Sequence, residues 1–482
     1  VQRDNAWLFH IIDNNSEHKL ITIEEVYTAI NLLHPNKAAD SDNLVAEHIT
    51  NAKDIMAPVL CILFNAMQIT RHIPSALKTG YILSMPKKGK DPRLPSGHRG
   101  ITITSALSKI LEGIYKSRHE ATQLERQEDL QLGFTQGSSP LMAALIITEA
   151  IGEAKVMKAV LYISSADVKK AFDMVNHEIT QHKMFEEGCD IVTIGTAKEL
   201  YSGLKNKVVW HGCSSREFDV QQGVRQGGVW SSTLYKTYVN PLLCQLRRAD
   251  LGLKIGTIYL GSPTVADDLL MVSLCPDETQ CMFDILETFA DKRRYALNSD
   301  KSAVLAITPN SLTKADDQTW NLHGDTITTS DQLTHVGVVR YATNVTDNTI
   351  EDHISCANKC AYALIGAGLH GNNGVGAKVC FKIIKTYVLP RLLYGLEVLL
   401  LTKKQVETLN TSYLKLLRHI QGLPTRTASS AVLLLIGALP IQALLHMRQL
   451  SIIGAIARGN NSTLQDLALR QIAVRNSKTS WF

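Results

Sequence analysis

"PTVADDLLMVS" (Pro263–Ser273) decides how the rest of this chain is read. Two short apolar runs flank a pair of carboxylates, the pattern of two strands joined by a tight acidic turn. In a buried hairpin Asp267 and Asp268 are costly unless a cation neutralises them. Ala-Asp-Asp recurs in "TKADDQTW" (Thr313–Trp320). There Lys, Gln and Thr surround Asp316 and Asp317, no strand flanks them, and water solvates them cheaply. The flanks make the first pair unusual, not the pair itself.

A third carboxylate comes from "YISSADVKKAFDMVNHEI" (Tyr162–Ile179). Asp167 ends an apolar strand, and a helix carrying Phe172, Val175 and Ile179 is expected just after it. A carboxylate at a strand end is held rigidly and faces the crevice where open sheets bind ligands. Asp167, Asp267 and Asp268 converging from two strand ends would suit a two-metal site. Two Mg²⁺ ions about 4 Å apart can activate a hydroxyl, orient a triphosphate and steady the leaving pyrophosphate. Mg²⁺ takes hard oxygen ligands and few of them from protein.

Two loops flank these elements. "PKKGKDPRLPSGHRG" (Pro86–Gly100) carries Lys87, Lys88, Lys90, Arg93 and Arg99 against Asp91 alone, and reads either as a solvated loop or as a polyanion contact. Arg225-Gln226-Gly227-Gly228 gives a glycine turn with a long donor and an amide, before a helix striped with Leu234, Tyr238, Leu242 and Leu246. Such a loop can approach a base pair closely, or can simply be a turn ahead of a core helix.

The chain has 482 residues, a net charge of +5 and nine cysteines without regular spacing. Its length allows two or three packed units. The cysteines read as reduced thiols of an intracellular protein. The longest apolar runs are too short to span a bilayer. The chain opens on Val1 and reads as a piece of a longer one. Thr22 and Glu25 form a capping box ahead of Val26, Ile30 and Leu33, and Ile55, Val59, Leu63 and Met67 mark a second helix. Residues 1–79 are therefore expected to be helical, 80–342 to alternate strands with helices, and 343–482 to be helical again. Pro309–Ser330 reads as a loop or edge hairpin. His353, Cys356, Cys360 and His370 lack a standard zinc spacing; Cys356 and Cys360 are expected as small buried packers on a helix striped by Ile350, Ile354, Ala361 and Leu364. The Leu-rich C-terminal stretches read as core rather than partner-binding surface, and Lys292-Arg293-Arg294 as a solvated face or a run that follows a nucleic-acid backbone.

In this order, the blocks "KKGKDPRLPSGHRGITI", "LGFTQGSSP", "ADVKKAFDMVNHEI", "GVRQGGVWSSTLY", "VADDLL", "LNSDKSAVLAI" and "THVGVVR" resemble the reverse transcriptase domain of non-LTR (LINE-type) retrotransposons. "NLLHPNKAADSDNLVAEHI" resembles the extension before it, and "YVLPRLLYGLEVL" with "LLRHIQGLP" the helical segment after it. The resemblance implies an α+β right-hand polymerase: a helical N-terminal extension (1–79), fingers and palm with an antiparallel sheet (80–342), and a helical thumb and C-terminal region (343–482). It implies RNA-directed DNA polymerase activity on an RNA template, a DNA primer or target DNA, and dNTPs. Two Mg²⁺ ions, replaceable by Mn²⁺, would be held by Asp167, Asp267 and Asp268. Lys301 would protonate departing pyrophosphate, Lys87 and Arg99 would meet the triphosphate, and Gln226 and Gly227 would line the nucleotide and template position. Phe172 matches the bulky aromatic that excludes a ribose 2′-hydroxyl. No membrane partner is implied, and the nucleus is the expected place of the insertion step. A nicking domain is expected upstream of Val1 in the parent frame. Asp40, where the family favours glycine, Ser232, where it favours proline, and Pro241, which should interrupt the following helix, depart from the pattern. They leave an alternative: a retroelement-derived protein that binds RNA and DNA without catalysing.

Overall fold

The computed structural model describes residues 6–14, 19–87, 89–210, 212–310, 313–343, 345–370 and 374–474; Lys88 of the basic loop lies outside them. The chain forms two compact units that interleave in sequence. One comprises Val1–Glu128, Val168–Cys244 and Thr288–Leu297; the other Asp129–Asp167, Gln245–Glu287 and Asn298–Phe482.

In the first unit the capping box forms as expected. Glu25 N–H donates to Thr22 Oγ1 at 3.2 Å and Thr22 N–H to Glu25 Oε2 at 2.9 Å, starting the helix Ile23–Asn31. Helix Lys53–Thr70 buries Ala57, Leu60, Phe64 and Met67. The stripe read from sequence is mostly its outer face, since Ile55 is 76% and Val59 56% exposed. Strands Thr79–Pro86 and His98–Thr104 form an antiparallel hairpin, and Lys205–Trp210 pairs in parallel with the first. Asp40 is buried and structural. Its Oδ2 accepts from Ala106 N–H at 2.8 Å, at the start of helix Ala106–Arg126, and its Oδ1 from the N–H groups of Asp42 and Leu44. A carboxylate at a helix N-terminus meets free N–H groups and the positive end of the dipole, which glycine could not do. Pro241 does not interrupt its helix, which runs unbroken over Ser231–Arg248. Arg293 is not simply solvated: its guanidinium lies 4.7 Å from the Phe289 ring centre and 5.7 Å from that of Tyr238.

The second unit is built on a six-stranded sheet. Leu161–Val168 lies between Leu297–Ile307 and Asp268–Ser273; Thr264–Val265 pairs with the latter, and Thr319–Leu322 with Asp325–Ser330 closes the other edge. The last two are the hairpin anticipated within Pro309–Ser330, whose residues 311–312 lie outside the described ones. Most pairings are antiparallel, but Leu297–Ile307 runs parallel to Asp325–Ser330, so the sheet is mixed rather than antiparallel throughout. Helix Pro140–Met157 covers it, with Ile147, Ala150 and Ile151 packed on Leu161, Ile163, Leu270, Val272 and Leu305. From Val345 the unit is helical, as its pattern predicts. Cys356 is exposed rather than buried, while Ile350 and Ala361 of its helix are core. Leu434 and Leu435 are 83% and 61% exposed, so part of the Leu-rich C-terminal region is surface and not core. No single described helix is long and apolar enough to cross a membrane; one pair bent by 57°, Ser429–Ile436 with Ile441–Arg458, passes by length and composition only.

Candidate active site

The acidic hairpin is placed by backbone pairing. Asp268 pairs with Val265 across the two-residue turn Ala266–Asp267. Strand Asp268–Ser273 then runs antiparallel to Leu161–Val168, with Leu269 opposite Ala166. One step further along that register sets Asp268 opposite Asp167. Asp267 and Asp268 reach the surface, while Ala266 beneath them is buried. Burial around the turn, then the Asp267 and Asp167 carboxylates, push the Asp268 carboxyl above its ordinary 3.8. Like charges so placed disfavour simultaneous ionisation and attract a cation.

Asp167 already has a cation beside it. Lys301 Nζ lies 3.3 Å from Asp167 Oδ2, and Asn298 Nδ2 donates to the same oxygen at 2.7 Å. Asp167 N–H donates to Ser302 Oγ at 3.2 Å, and Ser302 Oγ–H to the Asn298 carbonyl at 2.9 Å. All three partners lie on strand Leu297–Ile307, next to strand Leu161–Val168, whose penultimate residue is Asp167. Asn298 and Ser302 were not singled out from sequence. Their signal is two small polar side chains around Lys301 in a strand that turns apolar only afterwards; both are buried. Lys301 lies within the strand.

Among the described residues no three His, Cys, Asp or Glu side chains are gathered closely enough to hold a metal as they stand. The donor chemistry nonetheless fits a hard divalent cation. Three carboxylates lie at one sheet edge, one with its pKa raised by burial and then by its like-charged neighbours, one beside an exposed and displaceable lysine.

The remaining predicted residues all lie in the other unit. Lys87 follows strand Thr79–Pro86, with Pro86 opposite His98 and Met85 opposite Arg99, so both cations are exposed at the loop end of that hairpin. Lys87 Nζ donates to the Ser96 carbonyl at 3.2 Å. The Arg-Gln-Gly loop docks on the same hairpin: Thr102 N–H donates to the Gln226 carbonyl at 2.7 Å. Gly227 has φ +124°, and a Cβ there would stand 2.5 Å from the Thr102 carbonyl oxygen, so only glycine fits. Phe172 joins the group through its carbonyl, which accepts from Val224 N–H at 2.8 Å, and its ring stacks on Tyr235 at 5.0 Å and 7°.

Arg225, the long donor of this loop, turns inward. Its guanidinium is buried, paired with Glu112, and hydrogen-bonded to Ser108 Oγ at 3.4 Å. Glu112 Oε2 also accepts from Trp230 N–H at 3.1 Å. Arg225 thus anchors the loop and leaves Gln226 and Gly227 to face the hairpin.

Residues 85–339 match the family described as reverse transcriptase (RNA-dependent DNA polymerase). Among similar proteins, the RNA-directed DNA polymerase from mobile element jockey of Drosophila funebris is 26% identical over 421 residues, which are 84% of this chain and 44% of that protein. The retrovirus-related Pol polyprotein from type-1 retrotransposable element R2 of Popillia japonica is 28% identical over 299 residues, 60% of this chain and 40% of that protein. The probable RNA-directed DNA polymerase from transposon BS of Drosophila melanogaster is 28% identical over 229 residues, 47% and 25% of the two chains. The matched region thus spans less than half of each relative.

Proposed function

Because the chain belongs to the reverse transcriptase (RNA-dependent DNA polymerase) family, we propose that it is the RNA-directed DNA polymerase of a non-LTR retrotransposon, adding dNTPs to a primer 3′-hydroxyl on an RNA template. One observation carries this reading: the pairing of strands Leu161–Val168 and Asp268–Ser273, which brings Asp167, Asp267 and Asp268 to one edge of a single sheet. The proposal divides the chain into a helical extension over 1–79, fingers and palm over 80–342, and a thumb and C-terminal region over 343–482. Target DNA as the primer source and the nucleus as the place of insertion belong to the same proposal.

Asp167, Asp267 and Asp268 would hold two Mg²⁺, or Mn²⁺ in their place. When bound, such ions lower the pKa of a hydroxyl nucleophile and balance charge on phosphate oxygens. The rest is done by side chains. Asn298 fixes the Asp167 carboxylate, and Ser302 fixes its backbone. Lys301 is an ammonium donor at the same carboxylate, suited to give a proton to departing pyrophosphate. Lys87 and Arg99 attract the triphosphate, Arg99 through a fork that matches phosphate oxygens. Gln226 and Gly227 form a wall that passes close to a base pair. Phe172, braced by Tyr235, fills the space that a 2′-hydroxyl would need.

Primer extension tests the reading: an RNA template, an annealed DNA primer, dNTPs and Mg²⁺. Extended product that vanishes in Asp267→Asn while RNA binding persists is the expected result. Folded protein that binds RNA yet yields no product would leave the alternative, a binding protein without catalysis.

A further inference from the structure

A fully buried glutamine holds the turn that carries two of the three carboxylates. Gln131 lies 135 residues before Ala266, in the segment that runs beside strand Thr264–Val265. Leu132 N–H donates to the Thr264 carbonyl and Thr264 N–H to the Leu130 carbonyl, both at 2.8 Å. This pairing fixes Gln131 alongside the hairpin. Its side-chain amide then grips Ala266 from both sides. Gln131 Oε1 accepts from Ala266 N–H at 3.1 Å, and Gln131 Nε2 donates to the Ala266 carbonyl at 3.5 Å. The same Oε1 accepts from Gly133 N–H at 3.0 Å, which locks the amide's orientation.

Ala266 needs such a grip. Its φ is +60°, a left-handed conformation that a residue with a Cβ adopts only against a steric penalty. Glycine would be the ordinary residue for this turn. Gly133 packs so tightly here that a Cβ on it would stand 2.0 Å from Ala266 N. Close packing beneath and a two-point amide clamp therefore hold a strained residue immediately before Asp267. Released from it, Ala266 can relax toward negative φ, and the Asp267 and Asp268 carboxylates rotate with it.

We propose that Gln131 is a positioning residue for the acidic hairpin, holding Ala266 left-handed so that Asp267 and Asp268 present their carboxylates together with Asp167 to a divalent cation. The proposal rests on the reading of the carboxylates as the metal-binding set. The Gln131 amide bonds to backbone groups of Ala266 and Gly133, so its proposed role is exerted through backbone geometry. Partners that orient ligands in this indirect way typically affect affinity by about 10- to 100-fold.

The test uses the full chain and Mn²⁺ as the probe, titrated by electron paramagnetic resonance without nucleic acid or nucleotide. Gln131→Met keeps the side chain's length and removes both hydrogen bonds to Ala266 together with the one from Gly133 N–H. The expected result is Mn²⁺ affinity at least about tenfold weaker with the circular dichroism spectrum retained. Adding Ala266→Gly should restore most of that loss, because glycine takes positive φ without a clamp. Affinity within twofold of wild type in the single variant, or no recovery in the double variant, overturns the proposal. If Gln131→Met does not fold, amide exchange of Ala266 in the wild-type chain decides. Protection matching the sheet core supports the clamp, and exchange at the rate of an open turn overturns it. A wild-type chain that binds no Mn²⁺ overturns the metal-site reading instead, and the clamp is then judged on Ala266 exchange alone.

Discussion

Lys301 Nζ stands 3.3 Å from Asp167 Oδ2, with the lysine side chain 63% exposed. An ion pair so open to water contributes little to the fold. In the proposed mechanism its value is as a proton donor to departing pyrophosphate. Lys301→Ala should leave the thermal midpoint almost unchanged and lower kcat for primer extension by about 10²-fold or more, with the KM for dNTP much less affected. Lys301→Arg keeps the charge but donates a proton poorly, and should recover little. Steady-state dNTP titrations of the three proteins measure this directly.

Asp268 should show a conflict between stability and activity. Its carboxyl is held above 3.8 by burial and by Asp267 and Asp167, so the folded chain keeps this proton to higher pH than the unfolded chain does. Stability is therefore full below the ordinary value and falls as pH rises through the raised one. Without divalent metal at neutral pH, Asp268→Asn should raise the thermal midpoint by about 1–2 °C, a small figure because Asp268 reaches solvent. That gain should shrink toward pH 4, while polymerase activity is lost at every pH. Calorimetry across a pH series in EDTA checks the sign.

His335 should weaken the fold in acid. Burial, then the Arg340 guanidinium, hold its imidazole at about 4 against an ordinary 6.5, and Asp268's backbone partly offsets this. Because the unfolded chain protonates first as pH falls, stability present above 6.5 is lost progressively toward 4. The loss attributable to this one side chain approaches about 3 kcal/mol at most. Urea unfolding at pH 7 and pH 4.5 should show a smaller acid loss in His335→Gln than in wild type.

Phe172 stacks flat on Tyr235, which is tied to Tyr295 through their hydroxyls. A braced ring rejects a larger sugar better than a mobile one. Phe172→Val should relax discrimination against rNTPs by roughly tenfold or more in kcat/KM, with dNTP use impaired far less. Equal losses with both sugars would remove Phe172 from sugar selection.

What the sequence makes legible follows how local each signal is. The acidic hairpin, the strand ending in Asp167 and the Thr22–Glu25 capping box are written in consecutive residues, and all three form. Helix Lys53–Thr70 is apolar on two faces, so its period shows that a helix exists but not which stripe is buried. Arg225 turns inward because Glu112 awaits it, 113 residues earlier in the chain. Gln131 reads as an unremarked polar residue because the turn it grips is 135 residues away. Asp40 looks like a departure until Ala106 N–H is seen resting on its carboxylate. Long-range polar partners of this kind leave no periodicity behind.

The central claim is that Asp167, Asp267 and Asp268 act as one divalent-cation site. Anomalous scattering from Mn²⁺ in crystals grown with an RNA template, a DNA primer and a non-hydrolysable dNTP tests it without relying on turnover. The account predicts peaks bonded to oxygens of all three aspartates, with Lys301 displaced from Asp167. Clear density for the nucleic acid and nucleotide, with no peak at those three side chains, would contradict it.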